Sequence, residues 1–193
     1  DTEIRREQLA QAALALIASH GIKGLSVARV DRRIGLVPSA IYRHFSGKDE
    51  LVEAVIGLIR DRLHGNVDAV TKQTQDALER LHRLVMAHVR VIRENEGILR
   101  IVFSDELHSG NADRKVQVYE MINSYLKRIS EIVTDGQRKG QIRRSLDANV
   151  IFTMFLGLIQ PAAILWHLSN GDFDVTKHVE KAWPVFTEAI QPE

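Results

Sequence analysis

The side chains best suited to chemistry crowd into residues 26–48, SVARVDRRIGLVPSAIYRHFSGK. They are Arg29, Arg32, Arg33, Arg43 and Lys48, with Ser26, Ser39, Tyr42 and His44 among them. A guanidinium presents two parallel donors that match guanine O6 and N7, or two phosphate oxygens, and hydroxyl groups reach either. The chemistry on offer is recognition of a polyanion. Charge is distributed to suit. Residues 1–48 hold eight Lys/Arg against four Asp/Glu, a net +4, and residues 49–193 are net −3, which together give the +1 of the whole chain. Such asymmetry reads as one end meeting a polyanion while the remainder stays neutral to acidic.

Bond-making chemistry finds little support. The chain has no Gly-rich phosphate loop, no G-x-S-x-G, no H-E-x-x-H and no pair of histidines at i,i+4. His82 and His88 are six apart and would not share a helix face, so most histidines read as surface or capping groups. With no cysteine, disulfides and thiolate metal or redox sites are excluded. The reading is therefore no catalytic residue, no metal and no cofactor. The absence of cysteine makes a reducing cytoplasm the expected compartment; the first residues, DTEIRREQLAQAALALIASHG, are amphipathic and lack the basic start and apolar run of a secretory signal. Residues 150–168, VIFTMFLGLIQPAAILWHL, are long enough to span a membrane, but Thr153, Gln160, Pro161 and His167 interrupt them. A helix apolar all round is equally expected when two of its sides are buried, and no membrane partner is expected.

The elements that must position these groups are helices; no strand-like alternation appears. The pattern predicts an all-α chain of nine helices, over about 3–20, 27–34, 38–44, 47–64, 74–94, 98–108, 113–139, 147–169 and 174–190. Gly21 stops the first, and Ser26 and Gly35 bound the second. Ser46 to Asp49 reads as an acidic variant of the capping box, and Gly65 as a boundary. On a helical wheel Val27, Val30 and Ile34 share an inward stripe, opposite Arg29, Arg32 and Arg33. Over 38–44, Ile41 and Phe45 point inward with Pro38 beside them, Ser39 and Arg43 point away, and Ala40 and Tyr42 flank that pair. Two short helices joined by Gly35-Leu36-Val37, each with its polar face outward, make a helix-turn-helix. A seven-residue helix is about 10 Å long and fits a major groove about 12 Å wide. Arg43 then reads guanine, Ser39 and Tyr42 reach bases or phosphates, and Ala40 meets a thymine methyl group. Pro38 suits the first helical position, and Ser26 and Lys48 stand beside free helix N-termini that hold phosphate.

The stretch 26–51 resembles the DNA-binding segment of the TetR family of transcriptional regulators. It shares serine at the start of the second helix, the glycine turn, Tyr42-Arg43-His44-Phe45, and Lys48 to Leu51 opening the fourth helix. The likeness extends back through ALALIASHGIKGLSV. Three positions depart from it: Asp31 and Ile34 where alanine is usual, and Ser39 where glycine is common. Asp31 sits at the edge of the inward stripe and needs a partner, for which a neighbouring arginine is the candidate. The DNA-contacting residues on this reading are Ser26, Arg29, Arg33, Pro38, Ser39, Ala40, Tyr42, Arg43, His44 and Lys48.

A two-fold DNA site calls for a two-fold protein. Ile151, Phe152, Met154, Phe155, Leu158, Ile159, Ala162, Leu165 and Trp166 cover nearly the whole circumference of the 147–169 helix, so it must bury two sides. Val179, Trp183 and Phe186 on the last helix can complete an interface with a second copy. The expected dimer residues are Met154, Leu158, Ala162, Leu165, Trp166, Val179, Trp183 and Phe186. The resemblance implies the same, a four-helix bundle formed by the last two long helices. It also implies an enclosed small-molecule pocket, whose candidate walls are Met86, Val89, Phe103, Leu107, Tyr119, Ile122, Asn123, Phe152, Phe155 and Ile159. Apolar and aromatic side chains with sparse polar anchors suit such a cavity.

The expectation is a homodimeric regulator with a DNA-binding part over 1–48 and a ligand-binding and dimerisation part over 49–193, connected by the 47–64 helix. It would act as a repressor released from a palindromic double-stranded operator by a small, largely apolar effector. Two other readings remain open from sequence. One is a helical module that binds protein; the other is an all-α enzyme with a perturbed titratable pair between the 74–94 and 147–169 helices.

Overall fold

Leu9, Ala13, Leu16 and Ile17 recur at helical spacing, and in the computed structural model they line the buried face of α1, Thr2–His20. The structure describes residues 2–35, 41–105 and 112–192. The further helices are α2 Val27–Ile34, α3 Lys48–Gln73, α4 Ala77–Glu94, α5 Gly97–Val102, α6 Ala112–Arg138, α7 Ala148–Gly157, α8 Gln160–Leu168 and α9 Val175–Ile190. No strand occurs among the described residues, so the all-α reading holds.

Three boundaries differ from the sequence reading for local reasons, and the expected 98–108 helix ends early, at Val102. Helix α3 runs through Gly65 instead of ending there. Its inward stripe continues past the glycine at Val67 and Val70, both nearly inaccessible, and that burial outweighs the cost of about 1 kcal/mol for a mid-helix glycine. The expected 147–169 helix is two helices broken at Leu158-Ile159, where the Ile159 N–H bonds Leu156 O at 3.0 Å. Pro161 lacks a donor and its ring crowds the carbonyl four residues back, at Gly157. Ala148–Leu168 is apolar and long enough to cross a membrane by composition, yet it is folded as these two pieces. The cap on α3 uses Glu50, not Asp49: Glu50 Oε2 accepts from the Ser46 N–H at 2.7 Å and from Ser46 Oγ at 3.0 Å.

The chain forms two compact units, Asp1–Arg62 with Glu94–Met121, and Leu63–Arg93 with Ile122–Glu193. In the first, α1 packs on α2 and α5. A Cβ on Gly97 would lie 2.5 Å from Leu14 O, so the residue opening α5 must be glycine for α5 to sit this close to α1. In the second, α7, α8 and α9 pack together over a core that includes Leu81, Ile129, Val133, Phe155 and Val179. Buried Arg80 ties the turn before α4 to α6, donating to Thr74 O at 2.7 Å, Gln75 Oε1 at 3.1 Å and Asp135 at 3.4 Å.

Candidate nucleic-acid interface

The interface begins with the stop of α2. Gly35 adopts φ 72° and ψ 27°, and its N–H bonds Asp31 O at 2.9 Å, a left-handed cap that turns the chain without the strain a side chain would add. Ser26 opens the same helix, accepting the Arg29 N–H on its side chain at 3.3 Å. Val27 and Val30 face inward and are nearly inaccessible, while Arg32 and Arg33 are exposed.

Residues 36–40 lie outside the described residues, so Pro38, Ser39 and Ala40 do too. The remainder of the 38–44 segment is described from Ile41. Its carbonyl accepts from His44 N at 2.7 Å and Phe45 N at 2.9 Å, the closing turn of a helix. Ile41 and Phe45 are inaccessible, whereas Tyr42 is 60% exposed and Arg43 is exposed. The split between inward Ile41/Phe45 and outward Tyr42/Arg43 matches the wheel.

Behind this face sits a clamp that sequence reasoning missed. Arg6 of α1 lies 4.4 Å over the Phe45 ring, donates to the His44 carbonyl, and reaches Glu50 at 3.4 Å. Glu50 in turn holds Ser46. Head, turn and α3 are thereby fixed to α1 by one cation. The backbone N–H of Ser46, then its hydroxyl, and then Arg6 hold the Glu50 carboxyl below the ordinary glutamate range. A depressed folded-state value means that this stabilisation is present above the unfolded pKa and is lost as pH falls through the folded one. Glu50→Gln is expected to cost about 0.5–1 kcal/mol at neutral pH, a discounted figure for a half-exposed group. The deficit should shrink below pH ~4, as measured by urea unfolding across that range. Asp49, released from the expected cap, pairs with Arg114 of α6, itself 8% exposed.

Arg29 is exposed, but its Nη1 donates to Gly24 O at 2.8 Å, so its guanidinium closes the loop before α2. His44 turns partly inward: its Nδ1 is buried without a hydrogen-bond partner, and its carbonyl is held by Arg6. Lys48 opens α3, half-buried. The arginine expected beside Asp31 is not there. Asp31 is 3% exposed and neither carboxylate oxygen has a partner among the described residues, because Arg32 and Arg33 point to solvent and Arg29 turns to Gly24. A buried polar group left unpaired costs about 1–3 kcal/mol. Asp31→Ala should therefore raise stability by about that amount, with a matching rise in the thermal midpoint; a fall would mean the carboxylate is supported.

The expected ligand-pocket residues do not all point one way. Val89, Phe155 and Ile159 are buried in the second unit, and Met86, Ile122 and Phe152 are half-buried. Phe103 and Tyr119 belong to the first unit and are 54% and 65% exposed, and Asn123 is exposed. The inward stripe of α6 is Val118, Met121, Tyr125 and Ile129, which puts Tyr119 and Asn123 more than about 100° away. Leu107 lies outside the described residues. Of the expected dimer residues, Met154 and Leu165 are exposed and Leu158, Trp166 and Trp183 are half-buried, but Ala162, Val179 and Phe186 are covered by their own chain. Phe186 sits between Phe155 and Trp183, at ring distances of 6.4 and 5.4 Å. Those three are core, since a covered side chain has no surface left for a partner. Val150, Leu168 and Val185, 56%, 72% and 69% exposed, are further apolar side chains that the protomer leaves uncovered.

One more polar feature was unforeseen. His88 Nδ1 meets the Tyr125 hydroxyl at 3.1 Å, the rings edge-on at 5.3 Å. Burial pushes the His88 pKa down to about 4 and raises that of Tyr125. The apolar i, i+3, i+4 run on either side of His88 carried the signal.

Comparison with known proteins agrees with this geometry. Residues 9–55 match the family model described as bacterial regulatory proteins, tetR family, and residues 58–189 match the YsiA-like protein, C-terminal region. The chain is 23% identical over 171 residues to the fatty acid metabolism regulator protein of Bacillus subtilis, covering 87% of this chain and 86% of that one. It is 24% identical over 193 residues to the nucleoid occlusion factor SlmA of Vibrio cholerae, covering 97% and 96%. In fold it resembles the fatty acid degradation regulator FadR of Bacillus halodurans, with a TM-score of 0.80, 23% identity and 94% of each chain covered. It also resembles FadR of Bacillus subtilis in complex with stearoyl-CoA, with a TM-score of 0.78, 21% identity, and 95% and 98% covered.

Proposed function

The chain belongs to the TetR family of bacterial regulatory proteins, and we propose on that footing that this DNA-binding transcriptional regulator is a homodimeric repressor released by an acyl-CoA. Residues 1–48 read the operator and residues 49–193 bind the effector and the second copy. The observation that carries the reading is the outward Tyr42-Arg43 pair, held rigid from behind by Arg6 and Glu50. Arg43 reads a base, and Tyr42, Ser39, Ala40 and Pro38 are the further operator contacts; Ser26, Arg33 and Lys48 hold phosphates. Exposed Arg32 joins that group. The dimer forms through Val150, Met154, Leu165, Leu168 and Val185, apolar side chains that a lone protomer leaves in water.

The acyl-CoA class follows from likeness to the regulators of fatty acid metabolism of Bacillus halodurans and Bacillus subtilis, the latter solved with stearoyl-CoA. Its apolar tail suits Met86, Ile122 and Phe152, half-buried in the second unit. Coupling runs through α3 and α6, each of which passes from the first unit into the second. The Arg114–Asp49 pair links the start of α6 to the first turn of α3, next to the Ser46-Glu50 cap. An effector that favours one arrangement of α6 thus biases the heads and shifts the population away from the DNA-competent form. The protein works in the cytoplasm, where its operator is.

The test is fluorescence anisotropy of a labelled operator duplex with and without long-chain acyl-CoA. Affinity should fall by about 5–150-fold, the usual span of allosteric coupling. Unchanged affinity with medium- and long-chain thioesters alike rejects the effector class and leaves the DNA reading standing.

A further inference from the structure

His88 lies at the centre of the buried stripe of α4. Leu81, Leu84 and Val85 on that stripe are 0% exposed and Ile92 is 4% exposed. Tyr125 holds the same place on α6, between Met121 and Ile129, and is 2% exposed. His88 nonetheless keeps accessible surface while every apolar neighbour on its stripe is sealed. That accessible side is the one from which a ligand would reach the pair. The Nδ1 of His88 is engaged by Tyr125, and among the described residues no protein group meets Nε2. A core histidine serving packing alone would have both nitrogens satisfied or sealed.

We infer that the His88–Tyr125 pair is a polar anchor inside the effector cavity, selecting an apolar ligand that carries an uncharged oxygen, a hydroxyl or carbonyl, in its buried part. This rests on the effector reading above and narrows it. If Nδ1 accepts from the tyrosine hydroxyl, Nε2 carries a proton and donates to the ligand. If Nδ1 donates, Nε2 accepts from a ligand hydroxyl. A hydroxyl satisfies both tautomers. Burial keeps the imidazole neutral at physiological pH, so the pair offers no countercharge to a carboxylate or phosphate, which must stay outside. Facing a plain methylene chain, Nε2 would remain unpaired, and the site would discriminate against that chain.

The test uses the full-length protein and two independent probes. Binding of palmitoyl-CoA and of a series with one hydroxyl moved along the chain is followed by the fluorescence of Trp166 and Trp183. At least one isomer should bind about tenfold tighter than palmitoyl-CoA, and Tyr125→Phe should remove that preference. Separately, cyclohexanol alone should move the His88 ring-nitrogen resonances in wild-type protein, and methylcyclohexane should not. A cyclohexanol response with no acyl-CoA binding would sink the acyl-CoA reading and keep the anchor. Equal affinity for all chains, or a His88 signal indifferent to cyclohexanol, overturns the anchor, with no variant needed.

Discussion

Arg43→Ala weakens operator binding by about 1–3 kcal/mol per half-site and so by about 2–6 kcal/mol for the dimer. The loss should concentrate at one base pair in each half. Arg43 is exposed on the turn closed by Ile41, one residue beyond Tyr42, and its neighbours Ile41 and Phe45 are locked in the core. Phe45 is pinned further by Arg6, 4.4 Å above its ring. The guanidinium therefore projects from a backbone that does not give way, and little ordering entropy remains to be lost on binding. Titrations against operators substituted one base pair at a time make the check. In wild-type protein one position should be intolerant, and in the variant that position alone should become indifferent. Uniform weakening across all duplexes would instead make Arg43 a phosphate contact.

Met154→Asp combined with Leu165→Asp should separate the protomers and reduce operator affinity by about 10²–10⁴, the gain that linking two heads confers. Met154 and Leu165 are 43% and 48% exposed on the protomer, beside Val150 and Leu168 at 56% and 72%. Val150 and Met154 are one turn apart on α7, and Leu165 and Leu168 are likewise close on α8, so each helix shows an apolar edge. Burying a carboxylate against such an edge costs far more than two methyl groups return. Because both side chains lie outside the core of their own chain, helical circular dichroism should be unchanged while sedimentation reports a monomer. A double variant that remains dimeric would put the interface elsewhere.

What the sequence disclosed depended on how strongly local chemistry dictated the outcome. The stop at Gly35, the cap at Ser26 and the inward Ile41 and Phe45 are decided within a turn or two of chain, and all were legible. The break at Leu158-Ile159 was also local, since Pro161 marks it, but an unbroken apolar run masked it. Distant partners were not legible. Nothing near Ser46 says that Arg6, forty residues earlier, will share its capping glutamate, or that Asp49 will leave that cap for Arg114. The dimer and pocket residues show a phase problem. A helix apolar on several sides does not reveal which side its own core takes, so sequence alone reads Ala162, Val179 and Phe186 as outward and Tyr119 and Asn123 as inward. Beside His82 alone, His88 reads as a surface group; beside Leu81, Leu84, Val85 and Ile92, whose stripe it completes, it reads as core.

The most direct test of two copies reading one duplex is selection from random double-stranded DNA by full-length protein at two salt concentrations. The recovered sites should be inverted repeats, with half-site centres one helical turn, about 34–36 Å, or a multiple of it apart. They should be bound by two chains, with affinity falling steeply as salt rises. A pool without sequence preference, or one in which a single half-site is bound as tightly by one chain, contradicts the account.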